Sequence, residues 1–239
     1  MTDLPPPWTA FSIAFEGLSL PENFFPKIES YLHSLALVNQ SINLISFGTE
    51  SELRAHVVDA LQALRLFPAG DGFRVIDVGT GGGFPGVPLA LARSGWVFSL
   101  LDSIKKKQTA VSSLLESVPM ANASALCGRA EELGHQEEHR GQYDFALCRA
   151  VGRLSMVLEL TLPFLKVGGK AILHRGNDGA EEVGVIGKAL SELGGCNRPS
   201  LSYRLPGLDK ERIVICIEKT SQTSTKYPRR VGIPEKRPL

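Results

Sequence analysis

The chain is poor in cysteine, in aromatic residues and in net charge. Its 239 residues include 4 Cys, 7% aromatics and 21% charged side chains, and 26 Lys and Arg are nearly matched by 25 Asp and Glu. So little charge excludes an intrinsically disordered chain, and a net +1 argues against a uniformly basic nucleic-acid binder. Cys127, Cys148, Cys196 and Cys216 form no C-x-x-C pair and lie mostly in apolar runs. A large core needs no disulfide staples, so they are expected to be buried, reduced thiols. No run approaches the ~20 apolar residues that cross a bilayer, and Met1–Trp8 has neither the basic nor the apolar region of a secretory leader. The expected setting is the cytoplasm, with no membrane contact and no stable protein partner.

What is present is apolar material, 43% of the chain, enough for one domain with a sizeable extension. Charge is uneven along it. Residues 219–239 carry Lys219, Lys226, Arg229, Arg230, Lys236 and Arg237 against Glu235 alone, so this tail holds +5 and the rest of the chain −4.

Apolar residues at helical spacing predict amphipathic helices over 24–44 and 50–66, the second opened by a Thr49/Glu52 capping box. After residue 72 the pattern becomes short apolar runs at 73–78, 96–101, 123–127, 143–147 and 170–174. Helical segments alternate with them at 85–93, 104–117, 153–165 and 179–193. Continuously apolar runs are strands covered on both faces, and this alternation predicts an α/β Rossmann-like, mostly parallel sheet with helices on both sides. Runs at 202–205 and 212–218, separated by Pro206-Gly-Leu-Asp209, predict a closing antiparallel hairpin. The expected divisions are a helical extension (1–71), a core (72–219) and a basic tail (220–239).

The first strand runs into Asp77-Val-Gly-Thr-Gly-Gly-Gly-Phe-Pro-Gly86, a strand–loop–helix turn at the sheet's carboxyl end, where open α/β sheets bind nucleotides. Gly81-x-Gly83-x-x-Gly86 matches the dinucleotide fingerprint, which keeps an NAD-dependent dehydrogenase open. Asp77 favours a different ligand, because a carboxylate repels pyrophosphate and suits the cationic, phosphate-free S-adenosylmethionine. Asp102, ending the second strand, suits ribose hydroxyls in either case.

These residues resemble the bacterial glucose-inhibited division protein B family, the small-subunit ribosomal RNA guanine-N7 methyltransferases. The resemblance rests on Asp77–Gly86, Leu101-Asp102-Ser103 with Lys105-Lys106-Lys107, Arg129-Ala-Glu-Glu132, Arg149-Ala150 and the tail Lys226-Tyr-Pro-Arg229 onward. It implies a class I methyltransferase fold and an S-adenosylmethionine site at Asp77, Gly79, Gly81, Phe84, Asp102, Ser103, Ala130, Glu131 and Arg149. It implies 16S ribosomal RNA or the small ribosomal subunit as partner, met by Lys105, Arg175, Arg229 and Arg230. Arg175 stands where the family has lysine.

Guanine N7 has a lone pair and no proton to lose, so no general base is required and none is assigned. A non-catalytic RNA-binding protein with this fold is the other alternative. His135-Gln-Glu-Glu-His139 spells a zinc pattern, but its polar surroundings favour a solvated loop, and no metal is expected. His56 and Asp59 are expected in core or capping roles.

Overall fold

The computed structural model describes residues 4–176, 178–206 and 211–239. In chain order the helices are α1 (Ser12–Phe15), α2 (Phe24–Asn39) and α3 (Glu50–Leu61), then β1 (Arg74–Val78), α4 (Gly86–Ala92), β2 (Val97–Asp102), α5 (Lys105–Glu116) and β3 (Ala123–Cys127). There follow α6 (Ala130–Leu133), β4 (Tyr143–Arg149), α7 (Leu154–Thr161), β5 (Leu165–Arg175), α8 (Gly179–Val185), α9 (Gly187–Leu193), β6 (Gly195–Arg204), β7 (Glu211–Lys219) and α10 (Ile233–Lys236).

The strands form one sheet in the order β3-β2-β1-β4-β5-β7-β6. The first five run parallel and β7 is antiparallel to both β5 and β6. The sheet grows outward from β1 in two directions, so the chain leaves β1 and β4 on opposite sides and opens a crevice between their carboxyl ends. That switch point lies beside the glycine loop.

Two apolar clusters sandwich the sheet. One joins Trp8, Phe24, Tyr31 and Leu35 of the N-terminal segment to Val75, Leu89, Phe98 and Phe145 without a break at residue 71. The other joins Ile76, Ala146 and Leu173 to α7, α9 and Tyr227 of the tail. The N-terminal helices thus cover one face of the sheet as the crossover helices do.

Several boundaries differ from the pattern read in sequence. Helix 24–44 stops at Asn39, whose Oδ1 accepts the Leu44 and Ile45 N–H groups at 2.8 and 3.0 Å and whose Nδ2 donates to Ile45 O at 2.9 Å. The side chain satisfies backbone that would otherwise continue the helix, and holds 43–46 as a loop. The 50–66 segment tightens into a 3₁₀ helix after Leu61, and 179–193 divides at buried Ile186 between Gly184 and Gly187, weak helix formers. β6 begins at Gly195 rather than 202; it is an edge strand, largely exposed, and its register shift between Arg198 and Leu201 spans Pro199. Only Pro206 of the anticipated 206–209 turn falls within the described residues. The cysteines are all free, but only Cys148 and Cys216 are buried; Cys127 is exposed and Cys196 half-buried.

Candidate functional site

The loop after β1 is shaped by the acid that precedes it. Asp77 is fully buried, and its Oδ2 accepts the Thr80 hydroxyl at 2.7 Å and the Gly86 N–H at 2.9 Å. Burial pushes its carboxyl up to about 6, with Thr80 and Gly86 pulling the other way. It does not line the cavity beside it, so the expectation that Asp77 meets a ligand directly is corrected: it ties the loop from beneath and takes a first-turn amide of α4. That amide is one an incoming phosphate would need, which is the physical reason a pyrophosphate is disfavoured.

Above the loop a cavity of about 650 Å³ opens at the switch point. Gly79 and Val151 both line it, and a Cβ on Gly79, which has φ +77°, would stand 2.7 Å from Val151 Cγ2. A side chain there would fill the cradle. Tyr31 donates to Gly82 O at 2.9 Å from α2, so a helix of the N-terminal region braces the loop from behind.

One side of the cavity is suited to a nucleoside. Asp102 Oδ2 accepts the Gly81 N–H at 3.2 Å and Oδ1 accepts the Ile104 N–H at 2.9 Å, which leaves lone pairs for ribose hydroxyls. Ser103, Gly128, Ala130 and Glu131 continue this wall.

The opposite side carries Asn43–Ser46, His56, Arg149, Ala150 and Arg212. Arg149 Nη1 donates to His56 Nδ1 and Asp59 Oδ2, both at 3.2 Å, and its guanidinium lies 5.1 Å from the Phe84 ring centroid. His56 Nε2 meets Ser46 O at 3.0 Å, which fits the neutral tautomer with its proton on Nε2. Burial and the neighbouring Arg149 hold its basicity below the ordinary histidine range.

The tail forms a third wall. Val231, Gly232 and Glu235 line the cavity, and the Gly232 N–H donates to Glu131 Oε1 at 3.1 Å. Its anchor is Glu159, fully buried on α7, which accepts the Arg229 backbone N–H at 2.7 Å and the guanidinium at 2.6 Å through Nη2. Arg140 adds donations to Thr223 O, Ser224 O and Tyr227 O.

The nine residues expected around a cofactor therefore divide. Gly79, Gly81, Phe84, Asp102, Ser103, Ala130, Glu131 and Arg149 surround the cavity, while Asp77 lies under it. Of the four basic residues expected to meet RNA, Lys105 and Arg230 are exposed. Two expectations are corrected. Arg175 Nη1 donates to Val151 O and Gly152 O at 3.0 and 2.7 Å, and its Nε faces Glu182 at 3.5 Å, so its guanidinium supports the 150–152 turn from inside. Arg229 is occupied by Glu159.

The 131–142 segment is not a simple solvated loop: it begins within α6, His135 Nε2 contacts Pro228 O at 2.7 Å and His139 Nδ1 contacts Tyr143 Oη at 2.9 Å. No group of metal-ligating side chains occurs among the described residues. Sequence reasoning left Asp59 and Arg212 outside the site; the available signal was an aspartate on the buried face of a helix, which has no ordinary place in a core unless partnered.

Residues 25–196 match the family described as rRNA small subunit methyltransferase G. The ribosomal RNA small subunit methyltransferase G of Oenococcus oeni is 38% identical over 213 residues, 88% of either chain. That of Gloeobacter violaceus is 39% identical over 210 residues, 87% of this chain and 84% of the other. Among solved structures, ribosomal protein L11 methylase of Lactobacillus delbrueckii subsp. bulgaricus superposes with a TM-score of 0.52 at 17% identity, over 74% of this chain and 82% of the other. The Methanococcus jannaschii fibrillarin pre-rRNA processing protein gives 0.52 at 11% identity, over 65% and 70%. These two share the fold. Together with the glycine loop, the acid ending β2 and the cavity they frame, the sequence matches establish that the chain belongs to the rRNA small subunit methyltransferase G family.

Proposed function

We propose that this protein transfers a methyl group from S-adenosylmethionine to N7 of a guanine in 16S ribosomal RNA, acting on the RNA or on the small subunit that contains it. The observation that carries the cofactor choice is the division of labour between two acids: Asp77 closes the α4 amide to phosphate, and Asp102 keeps acceptor capacity at the mouth of the cavity. S-adenosylmethionine supplies a methyl carbon activated by its sulfonium.

The chain's own residues bind and orient. Asp102 would accept from the ribose, the Gly128–Glu131 backbone would border the base, and Gly79 leaves room for close approach of the backbone. The acceptor wall at Asn43–Ser46 and His56 would hold the guanine in line with the methyl carbon, and we assign Arg149, which the resemblance puts at the cofactor, to this wall because it donates to His56 and Asp59. Alignment alone is worth several orders of magnitude in rate, and no proton has to be removed before attack. N7 lies in the narrow groove of A-form duplex RNA, so the target guanine must be unstacked or in a loop. Exposed Lys105, Lys106, Arg129 and Arg230 supply phosphate contacts around the cavity.

The test is methylation of 16S RNA and of small subunits from cells lacking the modification, with the product mapped by mass spectrometry of nuclease digests. A methyl on guanine N7 is expected. Binding of S-adenosylmethionine without transfer to either acceptor would favour the non-catalytic RNA binder, and binding of NAD in its place would overturn the cofactor.

A further inference from the structure

Asp59 lies beneath the acceptor wall, 1% exposed, and groups from three strands converge on it. Tyr203 Oη donates to Oδ1 at 2.6 Å, Arg149 Nη1 donates to Oδ2 at 3.2 Å, and Arg212 Nη1 stands 3.5 Å from Oδ1. β4, β6 and β7 thus meet on one carboxylate carried by α3.

Stability gives no sufficient account of this arrangement. Desolvating buried charges offsets most of their attraction, and apolar residues of similar volume would often serve as well. The donors themselves suggest another reason. Arg149 and Arg212 both line the cavity, and two guanidinium groups on one carboxylate leave an excess positive charge at its wall. Arg212 reaches Asp59 through Nη1 while its side chain stays 29% exposed on the cavity wall, so its guanidinium keeps N–H groups open to the cavity. An arginine side chain has several free torsions, and holding two of them together requires an acceptor that faces both.

We propose that Asp59 is a positioning residue: it sets Arg149 and Arg212 side by side on the acceptor wall, so that their remaining N–H groups meet oxygens of the target nucleotide. The proposal rests on the methyltransferase reading above and adds to it a working role for the N-terminal helices, which carry the carboxylate.

The test is D59N, which keeps the shape and removes the charge. S-adenosylmethionine affinity is measured by calorimetry and methylation kinetics with the RNA acceptor at several salt concentrations. Expected are a cofactor Kd within about twofold of wild type and an RNA KM raised roughly tenfold or more with a flatter salt dependence. An unchanged RNA KM overturns the proposal, as does a cofactor Kd that rises as much as the KM, because a merely structural role predicts a general loss. Should D59N not fold, Y203F decides, since it removes the shortest donor to Asp59 and leaves both arginines intact. An RNA KM raised about threefold with cofactor Kd unchanged supports the proposal, and an unchanged KM overturns it. A wild-type protein that binds cofactor yet methylates no RNA overturns the parent reading and this proposal with it; an active wild type with an indifferent D59N overturns this proposal alone.

Discussion

Replacing Arg229 by alanine separates two roles that look alike in the sequence, an RNA contact and an internal anchor. In the structure Glu159 is fully buried and Arg229 is its ion-pair partner, with the guanidinium on both carboxylate oxygens at 2.9, 3.1 and 2.6 Å. Removing the arginine leaves a buried carboxylate with the Arg229 backbone N–H as its remaining donor from this group. Breaking a buried pair in this way costs about 3 kcal/mol, the lower end of the usual range because the Arg229 side chain is 25% exposed. For a chain of this size that corresponds to a melting temperature lower by roughly 6–12 °C. If the tail undocks before the rest unfolds, the same energy weakens docking on the order of 100-fold. The loss then appears as poorer S-adenosylmethionine binding, since Val231, Gly232 and Glu235 leave the cavity wall. Differential scanning calorimetry and cofactor titration distinguish the two outcomes, and R229M/E159L, which removes both charges, should recover most of the loss. Arg230 is exposed, so R230A should leave melting unchanged and lower the salt slope of RNA binding by about 1. An R229A protein with unaltered melting and cofactor affinity but a reduced salt slope would refute the anchoring argument.

D102A removes a charged acceptor from the cavity and frees the Gly81 and Ile104 amides, so cofactor Kd should rise roughly 10- to 100-fold in calorimetry; an unchanged Kd would displace the ribose from this position. The pH dependence of stability contains two opposed contributions. Burial pushes His174 down to about 4 from 6.5, so as pH falls through that window the unfolded chain takes up a proton the folded protein refuses, and stability is lost. Burial pushes Asp77 up to about 6 from 3.8, so over that interval the folded protein holds a proton the unfolded chain has released, and stability is lost as pH rises. Urea denaturation of H174Q relative to wild type should therefore show a relative gain of roughly 3 kcal/mol from pH 7 to pH 4. D77N should show the opposite trend, and parallel curves for either variant would contradict the assigned protonation states.

The sheet and the location of the site were legible in the sequence because their causes are local. Val75–Val78 and Tyr143–Leu147 are short, mainly apolar runs, each holding a single aspartate (Asp77, Asp144), a pattern that suits strands covered on both faces, and the glycines after Val78 mark where the chain must turn at the strand end. Asp102 follows from the same logic, one strand further on. β6 was less legible: as an edge strand it is exposed along most of its length, so its polar residues gave no apolar run to read.

Charge assignment depended on the fold. Arg229 and Arg230 are neighbours in sequence, yet one is held by Glu159, 70 residues away, and the other is exposed. Arg175 turns inward to the 150–152 turn, and Asp77 serves the loop from below instead of the cavity from its side. Asp59 acquires its partners from three strands between 90 and 153 residues distant. A short apolar run has one favourable environment, so its sequence nearly determines its place. A charged side chain has two, water or a buried partner, and only the tertiary structure decides which partner comes within reach.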